Sequence, residues 1–215
     1  DTSMIHSLAG LIDEGGLTRT RPFQEPHHTA SMPAIVGGGK GAKPGQISLA
    51  HNGVLFMDEF PEFARPVLET LRQPVESGEV VIARANAHVR YPCRFLLVAA
   101  ANPCRCGHLA DAARACSRAP QCGDDYLGRI SGPLMDRFDL RVEIPPVGVA
   151  DLDLAPSGET SAAVALRVAA ARRVQAARYA DAPGVDTNAD AANGLLDSVA
   201  APDAEGKALL LKAAD

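Results

Sequence analysis

The stretch VLFMDE, residues 54–59, sets four bulky apolar side chains directly before two acids. An unbroken apolar run of this length is typical of a short strand in a parallel sheet that is covered on both faces. In open α/β sheets, ligands bind in the crevice beyond the carboxyl ends of the strands. The pattern therefore predicts that Asp58 and Glu59 stand at the rim of such a crevice.

Two adjacent carboxylates in that position suit the hydrolysis of a nucleotide. One can hold the Mg²⁺ ion that bridges the terminal phosphates, and the other can orient and polarise the attacking water. We assign the first role to Asp58 and the second to Glu59. The alternative is a strand that simply ends in solvated acids, and this stretch alone does not decide between the two interpretations.

A second apolar run, FLLVAA at residues 95–100, predicts another buried strand. Asn102 follows this run, and a polar residue at that edge of the sheet can bind the γ-phosphate or the attacking water. Asn-Pro is also a common start of a turn, so a purely local role is the alternative for Asn102.

A third segment, GPLMDRFD at residues 132–139, predicts a short helix that carries Arg137 and precedes a further strand. A planar guanidinium group in that place can reach the phosphates of a neighbouring subunit, as an arginine finger does. Taken alone, Arg137 is more typical of a surface ion pair with Asp136 or Asp139.

The order of strands and helices predicts a three-layer α/β domain with a parallel sheet, followed by the start of a C-terminal helical lid. Residues 1–148 form the core in this interpretation, and residues 149–215 form the truncated lid. Residues 21–48 are rich in Gly and Pro and are expected to be a loop insertion. Two β-prone runs around Ala85-Asn86 predict a hairpin at residues 80–91.

The chain has 215 residues, of which 47% are hydrophobic, and a formal net charge of −5. This charge excludes a nucleic-acid binder of generally basic composition. A basic surface is expected only in the middle, because residues 84–141 contain nine Arg and five Asp but no Lys or Glu. No apolar run approaches the roughly 18 residues that a membrane helix needs, and no signal peptide is visible, so a cytoplasmic protein is the default expectation.

Four of the five cysteines lie in a loop predicted at residues 103–123: Cys104, Cys106, Cys116 and Cys122. Four thiolates can close a tetrahedral Zn²⁺ site and give order to a segment that is too irregular to fold alone. The C-x-C spacing is tighter than the usual C-x₂-C, and His108 is an alternative ligand. Four reduced thiols without a metal are the competing interpretation, and disulfides are not expected in the cytoplasm.

The three polar segments, in this order, resemble the motifs of the AAA+ ATPases. VLFMDE matches Walker B, AAANP matches sensor 1, and GPLMDRFD matches the arginine-finger segment. Longer segments resemble the magnesium-chelatase-related group known as ComM or YifB: HTASMPAIVGGG, GQISLAHNGVLFMDEFPEF, LRQPVESGEV, AAANPCRCGH and RISGPLMDRFDL. That group also carries cysteines after its sensor 1 Asn, which favours a metal site, although the second pair of cysteines is more widely spaced here.

The resemblance implies a hexameric motor that uses ATP with Mg²⁺ and acts on DNA. It implies a helicase-like role in branch migration during recombination and natural transformation. Hairpins near the central pore grip DNA in the family picture, which makes Arg84 and Arg90 of the 80–91 hairpin candidate phosphate contacts. His27 and His28 match a segment of the same family and are expected to contact substrate or to cap the loop.

One motif that an ATPase needs is absent from this sequence. The Walker A loop has the pattern G-x-x-x-x-G-K-[ST], and the nearest match is Gly39-Lys40. Ala34 stands where the first glycine belongs, and Gly41 replaces the Ser or Thr that would ligate Mg²⁺. By the resemblance, Walker A precedes Asp1 and the second sensor Arg follows Asp215.

Two other functions stay open at this point. One is a zinc-stabilised nucleic-acid-binding module whose acids have no catalytic role. The other is the motor subunit of a true magnesium chelatase, although chelatase subunits of that type generally lack the cysteine cluster.

We predict that this 215-residue chain binds ATP weakly and does not hydrolyse it. The reason is that the backbone N–H groups and the Lys of a Walker A loop normally supply most of the phosphate binding. Calorimetry with Mg²⁺ and ATP should therefore give a dissociation constant well above the micromolar range. A micromolar constant would show that other residues of this chain cradle the phosphates.

Overall fold

The computed structural model describes residues 1–12, 16–39, 41–84, 87–109, 114–145, 147 and 158–214. The chain divides into two compact units, Asp1–Glu143 and Ile144–Asp215. The boundary between them lies five residues before the predicted start of the lid, since 148 − 143 = 5. No described helix is long and apolar enough to span a membrane.

The first unit contains seven strands and seven α-helices among its described residues: α1 Thr2–Leu8, β1 Phe23–Gln24, α2 Met32–Val36, β2 Gly37–Gly38, β3 Lys43–Pro44, α3 Gln46–Leu49, β4 Val54–Met57, α4 Arg65–Thr70, α5 Arg72–Ser77, β5 Glu79–Arg84, β6 Ala87–Pro92, β7 Leu96–Ala99, α6 Gln121–Leu127 and α7 Gly132–Met135. A single 3₁₀ turn, Phe60–Glu62, follows β4. The predicted hairpin is confirmed, since β5 and β6 pair antiparallel from Glu79↔Pro92 to Arg84↔Ala87.

The central sheet is parallel and has the strand order β1-β4-β7. β4 is the middle strand, with Val54 opposite both Phe23 and Leu96 and with Met57 opposite Ala99. The predicted fold class, α/β with a parallel sheet, is therefore confirmed. Both apolar runs that the sequence singled out, VLFM and LLVA, form neighbouring strands of this sheet.

The expectation that these strands are buried on both faces is wrong. Leu55 and Met57 point into the core and are fully buried. On the opposite face, Phe23 is 58% exposed and Leu96 is 63% exposed. The described part of the chain therefore covers one face of the sheet and leaves an apolar face open to solvent.

The core lies on the covered face of the sheet and gathers side chains from helices on both sides of β4 in the sequence. Burial of this many aliphatic and aromatic groups supplies the main stabilising term of the unit, at about 25 cal/mol per Å² of apolar surface. The fully buried members with the largest volume are Ile5, Ile35, Ile47, Leu55, Met57, Phe60, Phe63, Leu68, Leu71 and Leu134.

The segment 21–48 contains more regular structure than the predicted loop insertion. It supplies β1 to the central sheet, and its glycines form the small antiparallel hairpin β2–β3. Gly37 and Gly38 belong to β2, and the pair joins directly onto the end of α2. This order of elements is not the strand, loop and helix of a Walker A motif. Lys40 lies outside the described residues.

Pro74 lies in the first turn of α5, where the missing N–H has no intrahelical partner to lose. The further strand predicted after the Arg137 segment needs correction. Residues 140–144 alternate apolar and charged side chains but form no strand, and Leu140, Val142 and Ile144 are strongly exposed. An alternating sequence pattern does not form the hydrogen bonds of a β-sheet unless a neighbouring strand is available to pair with it.

The second unit contains three α-helices among its described residues: α8 Ser161–Arg178, α9 Asn193–Val199 and α10 Ala204–Ala214. The Thr160 hydroxyl caps α8 by accepting the N–H of Ala163 at 3.2 Å. At the other end, the Tyr179 hydroxyl donates to the side-chain carbonyl of Asn188 at 3.0 Å. The helical structure expected for the C-terminal part of the chain is confirmed at α8 and α10.

We expect Gly53→Ala to destabilise the first unit by about 2 kcal/mol or more, because a Cβ there would stand 2.0 Å from the carbonyl oxygen of Pro22. That carbonyl accepts the Val54 N–H at 2.9 Å and thereby starts the pairing of β1 with β4. Urea unfolding followed by circular dichroism measures the change. Gly132→Ala is the matched control, since nothing lies within 4 Å of its added Cβ. Equal midpoints for the two variants would contradict this account.

Candidate functional site

Asp58 and Glu59 follow the middle strand of the parallel sheet, and both are exposed. Backbone pairing continues past the strand end, where Ala100 N–H donates to Met57 O at 3.0 Å and Phe60 N–H donates to Ala100 O at 2.9 Å. Asn102 lies two residues beyond Ala100 and is also exposed. The structure therefore places all three residues at the carboxyl edge of the sheet, where ligands bind in this class of fold.

Glu59 has a backbone conformation that few residues of its kind adopt. Its φ and ψ are 50° and 42°, in the left-handed region, which costs a non-glycine residue about 1–2 kcal/mol. The Asp58 carboxylate accepts the Glu59 N–H at 2.8 Å and supports this turn. The turn directs the chain into the 3₁₀ segment, whose Phe60 is buried in the core. Backbone strain of this kind persists where the surrounding packing fixes it, which is often at functional sites.

His28 is the residue at this edge whose role the sequence did not predict. Its Nδ1 lies 2.8 Å from Oε2 of Glu59, with the two side chains 28% and 49% exposed. The ring stacks against His27, with centroids 4.2 Å apart, and meets Phe63 edge-on at 6.5 Å. His27 and His28 were expected to contact substrate or to cap the loop. His27 hydrogen-bonds with Thr29 within the loop, while His28 contacts the second carboxylate. The position of His28 in the sequence could have indicated this contact, because His28 follows β1 and the carboxyl ends of β1 and β4 lie at the same edge of the sheet.

Glu62 connects the acidic edge, which is the carboxyl edge of the sheet where Asp58 and Glu59 lie, to the cysteine loop and to the chain after α6. It accepts a hydrogen bond from Nη1 of Arg129 at 3.1 Å and lies 3.9 Å from Nε of Arg105. Tyr126, on α6, is buried nearby, and its pKa is raised by that burial and by the charges of Glu62 and Glu59. The 3₁₀ turn that begins after Glu59 thus ends in contact with the cysteine-rich segment and with the chain after α6.

Arg137 lies two residues beyond α7 and not within it. Its Nη2 donates to Oε2 of Glu76 at 2.6 Å, and its Nη1 donates to the carbonyl of Pro133 at 2.6 Å. The hydrogen bond and charge of Arg137 lower the pKa of Glu76. The ion-pair partners that the sequence suggested, Asp136 and Asp139, are therefore not the ones observed. The side-chain hydrogen bonds of Arg137 are made with α5 and α7, and within the described part of the chain it is not brought to Asp58 or Glu59.

The two arginines of the β5–β6 hairpin, Arg84 and Arg90, were predicted to contact DNA, and the structure describes the side chain of Arg90 only. Arg90 on β6 lies 3.8 Å from Glu79 on β5, and its side chain is largely exposed. Arg84 ends β5, opposite Ala87, and its side chain lies outside the described residues, as does the turn at 85–86. Their predicted contact with DNA stays a prediction.

The cysteine loop brings its sulfurs together. The Sγ atoms of Cys104, Cys106 and Cys122 all lie within 4.8 Å of one another, and those of Cys104 and Cys106 are 3.1 Å apart. The Cys116 side chain contacts both Cys106 and Cys122. Cys104 is buried, whereas Cys106 is exposed. Three of the four predicted ligands therefore meet, and Cys116 lies beside two of them, while residues 110–113 lie outside the described residues.

The thiols of this cluster differ in acidity. The hydrogen bond from Cys104, followed by that from the backbone of His108, lowers the pKa of Cys106 to about 6. Burial, followed by hydrogen bonds with Cys116 and Cys104, raises the pKa of Cys122 to about 12. The thiols of this cluster therefore differ in acidity according to their surroundings, and a shared cation would favour the thiolate form of all of them.

Comparison with known protein families identifies the family to which this chain belongs. The family model described as magnesium chelatase, subunit ChlI, matches residues 1–152, and the model of its C-terminal part matches residues 158–215. The chain belongs to the magnesium-chelatase-like AAA+ family that includes ComM and YifB. The three-stranded parallel sheet and the helical second unit agree with that assignment.

Similar proteins come from several bacteria. The chain is 53% identical over 161 residues to competence protein ComM of Haemophilus influenzae, covering 74% of this chain and 31% of the relative. It is 52% identical over 177 residues to YifB of Escherichia coli, covering 81% and 34%. A magnesium-chelatase 38 kDa subunit of Cereibacter sphaeroides is 29% identical over 111 residues, covering 52% and 27%. The chain thus spans about a third of the length of the curated relatives it matches.

We expect His28 and Glu59 to be energetically coupled by about 0.5–1 kcal/mol, as partly exposed ion pairs with good geometry are. A double-mutant cycle of His28→Ala and Glu59→Ala on the free energy of unfolding measures this value. The Arg90 and Glu79 pair, longer at 3.8 Å and more exposed, is the matched control and should show coupling near zero. A His28–Glu59 coupling no larger than that of the control would remove the orienting role of His28.

Proposed function

We propose that this chain is part of an AAA+ motor that hydrolyses ATP and works on DNA. The observation that carries the proposal is the placement of Asp58, Glu59 and Asn102 at one edge of a parallel sheet, in a chain that belongs to the magnesium-chelatase-like AAA+ family. Because the chain spans about a third of its relatives, the activity is assigned to the longer protein and not to these residues alone.

The acidic edge suits a nucleotide-bound Mg²⁺ ion by the chemistry of its donors. Mg²⁺ prefers oxygen ligands and is usually held by one or two carboxylates together with substrate phosphates. Asp58 keeps one carboxylate oxygen free of the hydrogen bond to Glu59 and is exposed to a ligand at the sheet edge. Bound there, the ion would neutralise the charge of the phosphates, while Asp58 holds its position relative to the strand.

Glu59 and Asn102 act on the water and the γ-phosphate in this proposal. Glu59 orients the attacking water and accepts its proton, and its carboxylate is already held by His28. Asn102 offers an amide N–H and a carbonyl oxygen one strand away, which suit a phosphate oxygen and a water. His28 acts through Glu59 and is therefore a positioning residue.

Arg137 is proposed to act in a neighbouring subunit, which makes a homo-oligomer, with six subunits by family resemblance, part of the proposal. Arg137 bonds to Glu76 of its own chain and, among the described residues, makes no hydrogen bond with Asp58 or Glu59. This is expected for a finger that serves another subunit. Arg84 and Arg90 are the proposed contacts to the DNA backbone, and the name of ComM as a competence protein supports an association with DNA.

The proposed cofactors are ATP with Mg²⁺ at the sheet edge and Zn²⁺ at the cysteine loop. The sulfur cluster also favours a second candidate function, a zinc-stabilised nucleic-acid-binding module without ATPase activity. The chelatase motor subunit is a third candidate, supported by the 29% identity to the Cereibacter sphaeroides subunit. The higher identity to ComM and YifB favours the DNA motor over the chelatase.

Glu59→Gln should lower the turnover of DNA-stimulated ATP hydrolysis on the order of 10²-fold or more, because the amide cannot accept the proton of the attacking water. ATP affinity should stay nearly unchanged, since Gln keeps the size of the side chain. The assay needs the protein at the length of its relatives, with turnover and nucleotide affinity measured separately. Glu205→Gln, the same chemical change in the first turn of α10, is the control.

Two outcomes would contradict the motor. Unchanged turnover in Glu59→Gln would show that Glu59 is not the group that accepts the proton of the attacking water. DNA binding that is insensitive to nucleotide, in a protein without measurable ATPase activity, would favour the zinc-stabilised binding module instead.

A further inference from the structure

The cysteine loop has the geometry of a closed metal site. In a tetrahedral zinc–thiolate centre the Zn–S bonds are about 2.3 Å, which places the sulfurs about 3.8 Å apart. The sulfurs of Cys104, Cys106 and Cys122 meet this requirement, since all lie within 4.8 Å of one another. Cys116 lies outside this group of three but hydrogen-bonds with Cys106 and Cys122, which makes it the available fourth thiol.

Much of the loop around the cluster is exposed to solvent. Cys104 is fully buried, but most of the described residues around it, including Arg105, Gly107 and His108, are exposed. No disulfide joins the described cysteines. A metal that binds the folded loop and not the unfolded one would contribute its binding free energy to the stability of the loop.

The two halves of the loop come together directly behind the sensor residue. Cys104 is two residues after Asn102, so a metal on its sulfur fixes the backbone that carries the Asn102 side chain. Gly123, next to Cys122, packs so closely that an added Cβ would lie 3.2 Å from the carbonyl oxygen of Pro103 and 2.7 Å from Leu109. The start of α6 is thus pressed onto the segment between Asn102 and Cys104.

A second connection runs from the loop to the segment after Glu59. Glu62 accepts from Arg129 at 3.1 Å and is 3.9 Å from Arg105, which lies between two of the cysteines. The Arg105 contact is long and exposed and contributes little by itself. Arg129 is better placed, because Glu62 is mostly buried and Tyr126 on α6 packs beside it.

We infer that Cys104, Cys106, Cys116 and Cys122 bind one Zn²⁺ ion, and that this ion acts as a structural clamp which holds Asn102 and Glu62 in place at the acidic edge. The site is closed by four protein ligands, so it has no open position for a substrate and no catalytic role of its own. The positioning part of this inference rests on the proposed function of the edge, whereas the metal site does not.

The metal site is tested by metal analysis of the chain purified without added zinc, which should contain about one zinc per chain. Replacement by Co²⁺ should produce the intense thiolate-to-cobalt absorption of a tetrahedral site. Cys106→Ser, at an exposed position that folding tolerates, should reduce bound zinc about tenfold or more. Cys93→Ala, which removes a buried thiol outside the cluster, is the matched control and should keep the zinc.

Several results would overturn the site as assigned. Far less than one zinc per chain, with freely titrating thiols and no cobalt band, would exclude it. Loss of zinc in His108→Ala together with retention in Cys116→Ser would replace the fourth thiol by the imidazole and overturn the four-cysteine assignment. Circular dichroism of each variant separates loss of metal from loss of fold.

The clamp is tested by hydrogen exchange with and without a zinc chelator. Removal of zinc should accelerate exchange about tenfold or more in residues 102–107 and also in Phe60–Glu62, because both segments are fixed by the loop. The β5–β6 hairpin, whose described residues pair with each other and not with the four clustered cysteines, should be unaffected. Faster exchange confined to residues 103–109 would overturn the clamp. Neither measurement involves a nucleotide, so failure here is distinct from failure of the ATPase proposal.

Discussion

Everything at the candidate site depends on β4 being the middle strand of a parallel sheet. Its parallel register brings the carboxyl ends of β4 and β7 level, with β1 ending two residues earlier on the other side of β4. Each strand continues into a segment with a polar residue: His28 after β1, Asp58 after β4 and Asn102 after β7. The strand itself is anchored by Leu55 and Met57, which are fully buried. A shift of the register by one residue would exchange these with Val54 and Phe56 and would move the carboxylates out of line.

The turn after β4 converts that alignment into a fixed geometry. Glu59 takes a left-handed conformation, and three contacts hold it: the Asp58 carboxylate on its N–H, His28 on its carboxylate, and the burial of Phe60 directly after it. The cost of the conformation is about 1–2 kcal/mol, which these contacts offset. Because Glu59 is already held in this way, it loses little further conformational entropy when a ligand binds. The site is preorganised in this sense for the role of catalytic base that we propose for Glu59.

The sequence predicted the parts of this site that are local and missed the parts that need two distant segments. VLFMDE and FLLVAA could be recognised because four-residue apolar runs before polar residues are a property of one stretch of chain. The pairing of His28 with Glu59 spans 31 residues (59 − 28) and follows only from the adjacency of β1 and β4. The strand predicted at 140–144 failed for the same reason, since a strand exists only where a neighbour offers its backbone, and the exposed face of β7 likewise could not be read from its apolar sequence.

The position of Arg137 is compatible with a role in another subunit because its present contacts are weak ones. Its partner Glu76 is mostly exposed, and exposed pairs are worth about 0–1 kcal/mol. Its Nε is buried without a hydrogen-bond partner among the described residues, so the guanidinium is not fully satisfied where it lies. A phosphate can accept two parallel N–H bonds from the same group and carries more charge than one carboxylate. A phosphate of a neighbouring subunit would therefore offer Arg137 more than Glu76 does, which is why we propose the finger role for this residue.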